Sequence, residues 1–216
     1  METKLSSLMK ITAAASLSLA LSSNCFAYLS ASNCGIGLFD CLHWYVGANI
    51  GVSHLHDNVD PSFRATNSVD EDGPGWNVNG GALFMHVYDV MMGGELGYTQ
   101  YADSRENVSG IGVQSATFAR TEHFSVYAAL TGLYPMVYNF SLLGKLGVAY
   151  GYARKTAIGG AGFTASAHSY RPYGALGLGY NLTPKFTAIA QAARDWGSHA
   201  TGSADLYSIG LSYAIT

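Results

Sequence analysis

The chain has 216 residues, a formal charge of -3 and only 12% charged residues, about half the share usual in soluble domains. Its length suits one domain, and its charge excludes the basic surface that a nucleic-acid partner needs. Hydrophobic residues make up 49%, with 26 Gly and 15 Tyr, a balance that suits membrane-spanning β-structure.

Residues 1–27 read as a secretory signal. Lys4 and Lys10 form a basic start, residues 11–21 an apolar stretch, and Cys25-Phe26-Ala27 a small-residue cleavage site. Asn24 before Cys25 is a poor match to a lipoprotein site. Cleavage after Ala27 leaves residues 28–43 as a short periplasmic segment. It holds Cys34 and Cys41, which an oxidising compartment is expected to join in a small disulfide loop. No later stretch reaches the 18 apolar residues of a transmembrane helix.

From residue 44 onward the chain alternates with period two in eight segments. They fall near 44–53, 76–87, 91–101, 123–134, 140–153, 169–181, 186–196 and 204–215. In the first, Trp44, Val46, Ala48, Ile50 and Val52 alternate with Tyr45, Gly47, Asn49, Gly51 and Ser53. Such alternation signals strands and excludes an amphipathic helix. Short connections near 88–90, 135–139 and 181–185 alternate with long polar ones near 54–75, 102–122, 154–168 and 197–203. That is the layout of an outer-membrane barrel, with turns in the periplasm and loops outside. The expected fold is therefore all-β: a closed antiparallel eight-stranded transmembrane β-barrel over residues 44–216, in the outer membrane of a Gram-negative bacterium. Closure follows because lipid cannot satisfy an open strand edge. A closed barrel needs no partner copy, so the chain is expected to be a monomer.

Aromatic residues cluster at the strand ends. Trp44, Tyr134, Tyr180 and Tyr213 fall near the turn side, and Trp76, Tyr98 and Trp196 near the loop side. Two girdles of this kind mark the two headgroup layers.

Several runs resemble the OmpA transmembrane domain. Gly94-Glu95-Leu96-Gly97-Tyr98-Thr99 looks like its third strand, and the run 140–150, with Lys145 and Gly147, like its fifth. Tyr173-Gly174-Ala175-Leu176-Gly177-Leu178-Gly179-Tyr180, continuing to Thr183-Pro184, looks like its sixth strand and turn. Trp196 and the run from Tyr207 to Tyr213 also match. The resemblance covers roughly 44–216, and the small opacity-type surface barrels fit nearly as well. Two departures stand out. The chain is expected to lack the peptidoglycan-binding domain that OmpA carries. It also ends in Ile215-Thr216, where a terminal aromatic is common, so Tyr213 is expected to serve the assembly signal.

Inward positions carry the candidate site. Counted from the periplasmic ends of the rising strands, Asn49, Glu95, Lys145 and Gln191 reach a similar depth inside the barrel, and Arg171 lies nearer the outer mouth. A lone buried charge is costly, so Glu95 and Lys145 are expected to pair. The bland reading is a satisfied structural core; the resemblance implies a plug that can act as a gate.

Other candidates are weaker. His54, His56 and Asp57, with Asp70, Glu71 and Asp72, match no standard metal-site spacing, and no metal or cofactor is expected. His123 and Ser125 share one strand face, but the rest of a lipid-modifying barrel's motif is absent, so no catalytic residue is assigned.

Three functions follow in order. The first is an anchor that displays its long loops to the environment or a host. The second is a small gated low-conductance channel. The last is a lipid-modifying enzyme. The expected partners are outer-membrane lipid and lipopolysaccharide, the barrel assembly machinery, and a host or surface ligand at the loops.

Overall fold

The computed structural model describes residues 42–56, 68–70, 72–110, 113–157, 164–197 and 202–215. The expected signal, residues 28–41 and the cysteines Cys34 and Cys41 lie outside them, as do Asp57 and Glu71.

Ten strands are described: β1 (His43–His56), β2 (Ser68–Asp70), β3 (Asp72–Val87), β4 (Val90–Gln100), β5 (Ser104–Gly110), β6 (Val113–Pro135), β7 (Phe140–Ala157), β8 (Thr164–Asn181), β9 (Phe186–Asp195) and β10 (Ser203–Ile215). Eight of them hydrogen-bond in the order β6-β4-β3-β1-β10-β9-β8-β7, and β7 returns to β6. The barrel is therefore closed and antiparallel. Its seam joins the first and last strands, from Trp44 opposite Ile215 to His56 opposite Ser203. Closure pairs the backbone polar groups along the ring, which lipid cannot do.

Period-two alternation sorts the side chains. Ile50 and Leu146 on the outer wall are 69% and 71% exposed, whereas the inward Asn49 and Glu95 are 3% exposed. The outer wall is apolar because it faces hydrocarbon; the inner wall mixes small and polar residues because eight strands leave only a narrow, filled interior.

Three tight turns close the periplasmic end. Tyr88 leads the first with φ 54°, and Tyr138 and Asn139 form the second with φ 55° and 65°, the left-handed pair that a two-residue hairpin of matching twist requires. In the third, the Thr183 hydroxyl oxygen accepts the Phe186 N–H at 3.0 Å.

Aromatic rings line both ends. At the turn end Phe140 meets Tyr180 at 4.9 Å between centroids and Phe186 meets Tyr213 at 5.0 Å. Toward the loop end Trp76, Tyr98, Phe124 and Tyr152 run ring to ring across β3, β4, β6 and β7, 5.0–5.7 Å apart. Trp44, Tyr134 and Trp196 also stand on the exposed outer wall.

The outer end differs from the sequence expectation. Within 102–122, expected as a loop, residues 104–110 form β5 and 113–122 the outer part of β6, paired from Ser104 opposite Thr121 to Gly110 opposite Val113. Likewise β7 runs on to Ala157, β8 starts at Thr164, and the short β2 pairs with β5. Above the membrane both faces of a sheet meet water. The apolar–polar alternation then fades while the backbone keeps pairing, so these strands look like loops in the sequence. On the opposite side β1 stops at His56, β9 at Asp195, and β10 begins only at Ser203. Among the described residues the crown is therefore lopsided: β2, β5, β6, β7 and β8 rise, and β1, β9 and β10 stay low.

Candidate functional site

The lumen holds two polar layers. In the lower one, Glu95 of β4 receives three donors. Lys145 Nζ of β7 and the Tyr127 hydroxyl of β6 both reach Oε1 at 2.7 Å, and the Tyr45 hydroxyl of β1 reaches Oε2 at 2.8 Å. The pair is fully enclosed, with both side chains 1% exposed. Charge-assisted bonds of this length are the strong kind, and together they offset part of the cost of removing two charges from water.

Above it, the Tyr127 and Tyr173 rings stack at 4.1 Å with 14° between planes. Gly97 makes room for this: a Cβ there would lie 2.3 Å from Tyr127 Cζ. Beside the stack runs an amide ladder. Asn49 Nδ2 donates to Asn77 Oδ1 at 3.1 Å, and Asn77 Nδ2 donates to Thr99 Oγ1 at 3.0 Å.

Near the outer mouth, Arg171 Nε lies 3.6 Å from Asp195 Oδ2, and Nη1 donates to the Gly202 carbonyl at 3.0 Å. The guanidinium crosses over Gly151, where a Cβ would meet it at 1.8 Å. Arg171 thus ties Gly202, the residue before β10, to the barrel wall. An apolar stopper of Leu55, Tyr101, Ala204 and Leu206, all buried, occupies the same end.

Of the five lumen residues singled out from the sequence, the structure brings together Glu95 and Lys145. Asn49 joins the amide ladder instead. Gln191 faces inward opposite Ser208, and its amide atoms have no protein partner. Arg171 belongs to a separate layer. The sequence reading missed Tyr45, Asn77, Tyr127, Tyr173 and Asp195 as their partners. It compared depths mainly along the rising strands, whereas Asn77, Tyr127 and Tyr173 come from falling ones. Asp195 shares its strand parity with Gln191, a signal that was available.

The other candidates sit apart. His54 Nδ1 contacts Asp72 Oδ1 on the outer rim, and His56 Nδ1 lies 3.9 Å from Asp205 Oδ2. Among the described residues, no three His, Cys, Asp or Glu side chains are grouped to hold a metal. His123 and Ser125 point into the lumen and are buried, away from the lipid outside.

A closed eight-stranded barrel with this lumen matches a known sequence pattern: that of the OmpA-like transmembrane domain, over residues 41–191. The chain belongs to the OmpA-like transmembrane domain family. It is an outer-membrane protein of the Gram-negative type. Among solved structures it resembles Ail, the attachment invasion locus protein of Yersinia pestis. That match has 15% identity and a TM-score of 0.52, and covers 80% of this chain and 98% of that one. A second Ail structure holds the heparin analogue sucrose octasulfate. Neisserial surface protein A is similar at 12% identity and a TM-score of 0.51, covering 79% of this chain and 96% of that one. No curated protein matches the sequence.

Proposed function

We propose that this OmpA-like barrel is an anchor whose working part is the raised crown, which binds a partner outside the cell. One observation carries the reading. The β8 strand pairs with β7 from Thr164 onward, but it meets β9 only from Tyr173, opposite Asp195. Among the described residues, 164–168 therefore pair on the β7 side alone and present a strand edge above the membrane. An unpaired edge offers a row of backbone N–H and C=O groups to any extended segment that can add a strand.

The ligand class that fits is an extended peptide stretch of a host or surface protein. The lumen supports the same division of labour. Its ion pair, ring stack and apolar stopper fill the bore, so we read Asn49, Glu95, Lys145, Arg171 and Gln191 as the core that stiffens the anchor. The gated channel is the weaker reading, since Leu55 and Leu206 stand across the outer end. No catalytic role is proposed, because Ser125 faces the filled interior.

The test is adhesion of whole cells that display the chain to surfaces coated with host extracellular proteins. Replacing residues 104–121 and 154–168 by short turns abolishes adhesion, while Glu95→Gln leaves it intact. Adhesion that survives loss of the crown would sink the proposal.

A further inference from the structure

The periplasmic end of the barrel gathers the methionines of the chain. There are six. Met1 and Met9 fall in the expected signal, and the other four, Met85, Met91, Met92 and Met136, all lie at or beside the turns that follow β3 and β6. Nearer mid-membrane the outer wall uses Ile50, Leu96, Leu130 and Leu146 instead. Methionine commonly fills irregular gaps in a core, but Met85 and Met136 are 39% and 49% exposed and fill none.

The β3–β4 hairpin sorts three of them, with a histidine, into pairs. Val87 lies opposite Val90 across the two-residue turn Tyr88-Asp89. The next pair is His86 with Met91, and the one after it Met85 with Met92. In a two-residue hairpin the pair flanking the turn exchanges its backbone hydrogen bonds. His86 and Met91 are therefore a non-hydrogen-bonded pair, with Cα atoms about 4.5 Å apart and side chains close together. Strand alternation puts the two pairs on opposite faces. Met92 shares its parity with the outward Leu96, so Met92 and Met85 face the lipid boundary. Met91 shares its parity with the inward Glu95, so Met91 and His86 face the lower mouth of the bore. His86 is exposed there, and Met91 is half-buried opposite Leu133 of β6.

We propose that His86 and Met91 bind one soft monovalent metal ion, Cu(I) or Ag(I), through an imidazole nitrogen and Met91 Sδ. Thioether sulfur is a soft, uncharged ligand that selects Cu(I) over hard cations, and imidazole suits copper as well. A monovalent ion of this kind accepts two ligands in line. With zinc's bond lengths as the scale, about 2.1 Å to imidazole and 2.3 Å to sulfur, the two donors stand roughly 4.4 Å apart. A close cross-strand pair offers that spacing. Zinc itself takes four ligands, and among the described residues no three His, Cys, Asp or Glu side chains are grouped to supply them. The outer pair, Met85 with Met92, is the poorer site, because an ion there would leave water for the lipid boundary. The Glu95–Lys145 layer and the ring stack fill the bore above the pair, so the ion is held on the periplasmic side. The barrel thereby carries a second working end, opposite the crown.

The test is titration of the folded barrel, taken from outer membranes into a mild detergent. It is done in a Cys34→Ser, Cys41→Ser background, because thiols would compete for the same ions. Silver nitrate in chloride-free buffer is followed by calorimetry and by NMR of methionine labelled at its methyl carbon. The barrel takes up one Ag(I) per chain, and the Met91 methyl signal shifts as it does so. His86→Ala and Met91→Leu each weaken binding by at least about tenfold, the scale on which even indirect support of a metal costs affinity. Met85→Leu with Met92→Leu leaves binding unchanged, and zinc sulfate gives no matching heat. Each variant is first checked for the folded band on an unheated gel. The Met91 shift is read with His86 and Met91 both intact, so it decides the matter even where a variant fails to fold. No uptake of Ag(I), uptake that survives both single substitutions, or a shift of the Met85 and Met92 signals without that of Met91 would overturn the proposal.

Discussion

Lys145→Met probes the lower lumen layer most sharply. The ammonium and the Glu95 carboxylate are 2.7 Å apart, and both side chains are sealed from solvent. Methionine keeps most of the side-chain volume but removes the charge. Glu95 is left with two hydroxyl donors, from Tyr45 and Tyr127. Breaking one side of a buried pair typically costs about 3–5 kcal/mol. The two surviving bonds to the carboxylate, each contributing roughly 1.5–3 kcal/mol, hold the cost to the lower end, about 3 kcal/mol. Removing both charges in Glu95→Leu with Lys145→Met should recover only part of that loss: it removes the unpaired charge, but the Tyr45 and Tyr127 hydroxyls lose their acceptor, at about 1–3 kcal/mol for a buried donor. The assay is urea unfolding and refolding in lipid vesicles, read by tryptophan emission and by the mobility of unheated protein on gels. A Lys145→Met cost below about 1 kcal/mol, the value expected of a solvent-exposed pair, would refute the sealed-pair reasoning.

Three further outcomes use the same structure. Gly97→Val drives a side chain into the Tyr127 ring, where even a Cβ would lie 2.3 Å from Cζ; a loss of about 1–3 kcal/mol is expected from overpacking, measured by the same unfolding curves. Ile50→Arg places a charge on the lipid face near mid-membrane and should cost about 2–4 kcal/mol in vesicles. Arg171→Gln removes the bond to the Gly202 carbonyl, so protease cutting within 197–202 on intact cells should speed up while the barrel band on gels stays unchanged.

Within the lipid band the fold was legible from residue order, because each strand must set apolar residues outward and small or polar ones inward. Trp44 to Val52 and Tyr207 to Ile215 are clear cases. The crown was not legible. Strands with water on both faces lose that alternation, so β5 and the outer half of β6 read as a polar loop. The β3–β4 pairing also slips between Leu83 and Met85, a backbone irregularity with no side-chain signature. In the lumen, the burial argument was enough to point Glu95 at Lys145, because an isolated charge inside a narrow barrel is untenable. It could not find Tyr45, Tyr127 or Tyr173. Aromatics at those positions look like ordinary strand residues until the register sets Gly97 opposite Tyr127.

The charge pattern of the rim shows the same limit. His54, Asp72, Asp205 and Arg194 are far apart in the chain, yet they are register partners across β3, β1, β10 and β9. Their grouping on the low side of the crown depends on which strands neighbour each other at the seam. Period-two reading supplies the faces of each strand but not that order of partners at matched heights.

The measurement that bears most directly on the anchor account is single-channel conductance of the refolded chain in a planar bilayer, after the folded band has been verified on an unheated gel. A bore filled by the Glu95–Lys145 pair, the Tyr127–Tyr173 stack and the Leu55–Leu206 stopper should pass no steady current, in wild type and in Glu95→Ala alike. Steady small currents that change in Glu95→Ala would contradict the account and make the lumen, not the crown, the working part.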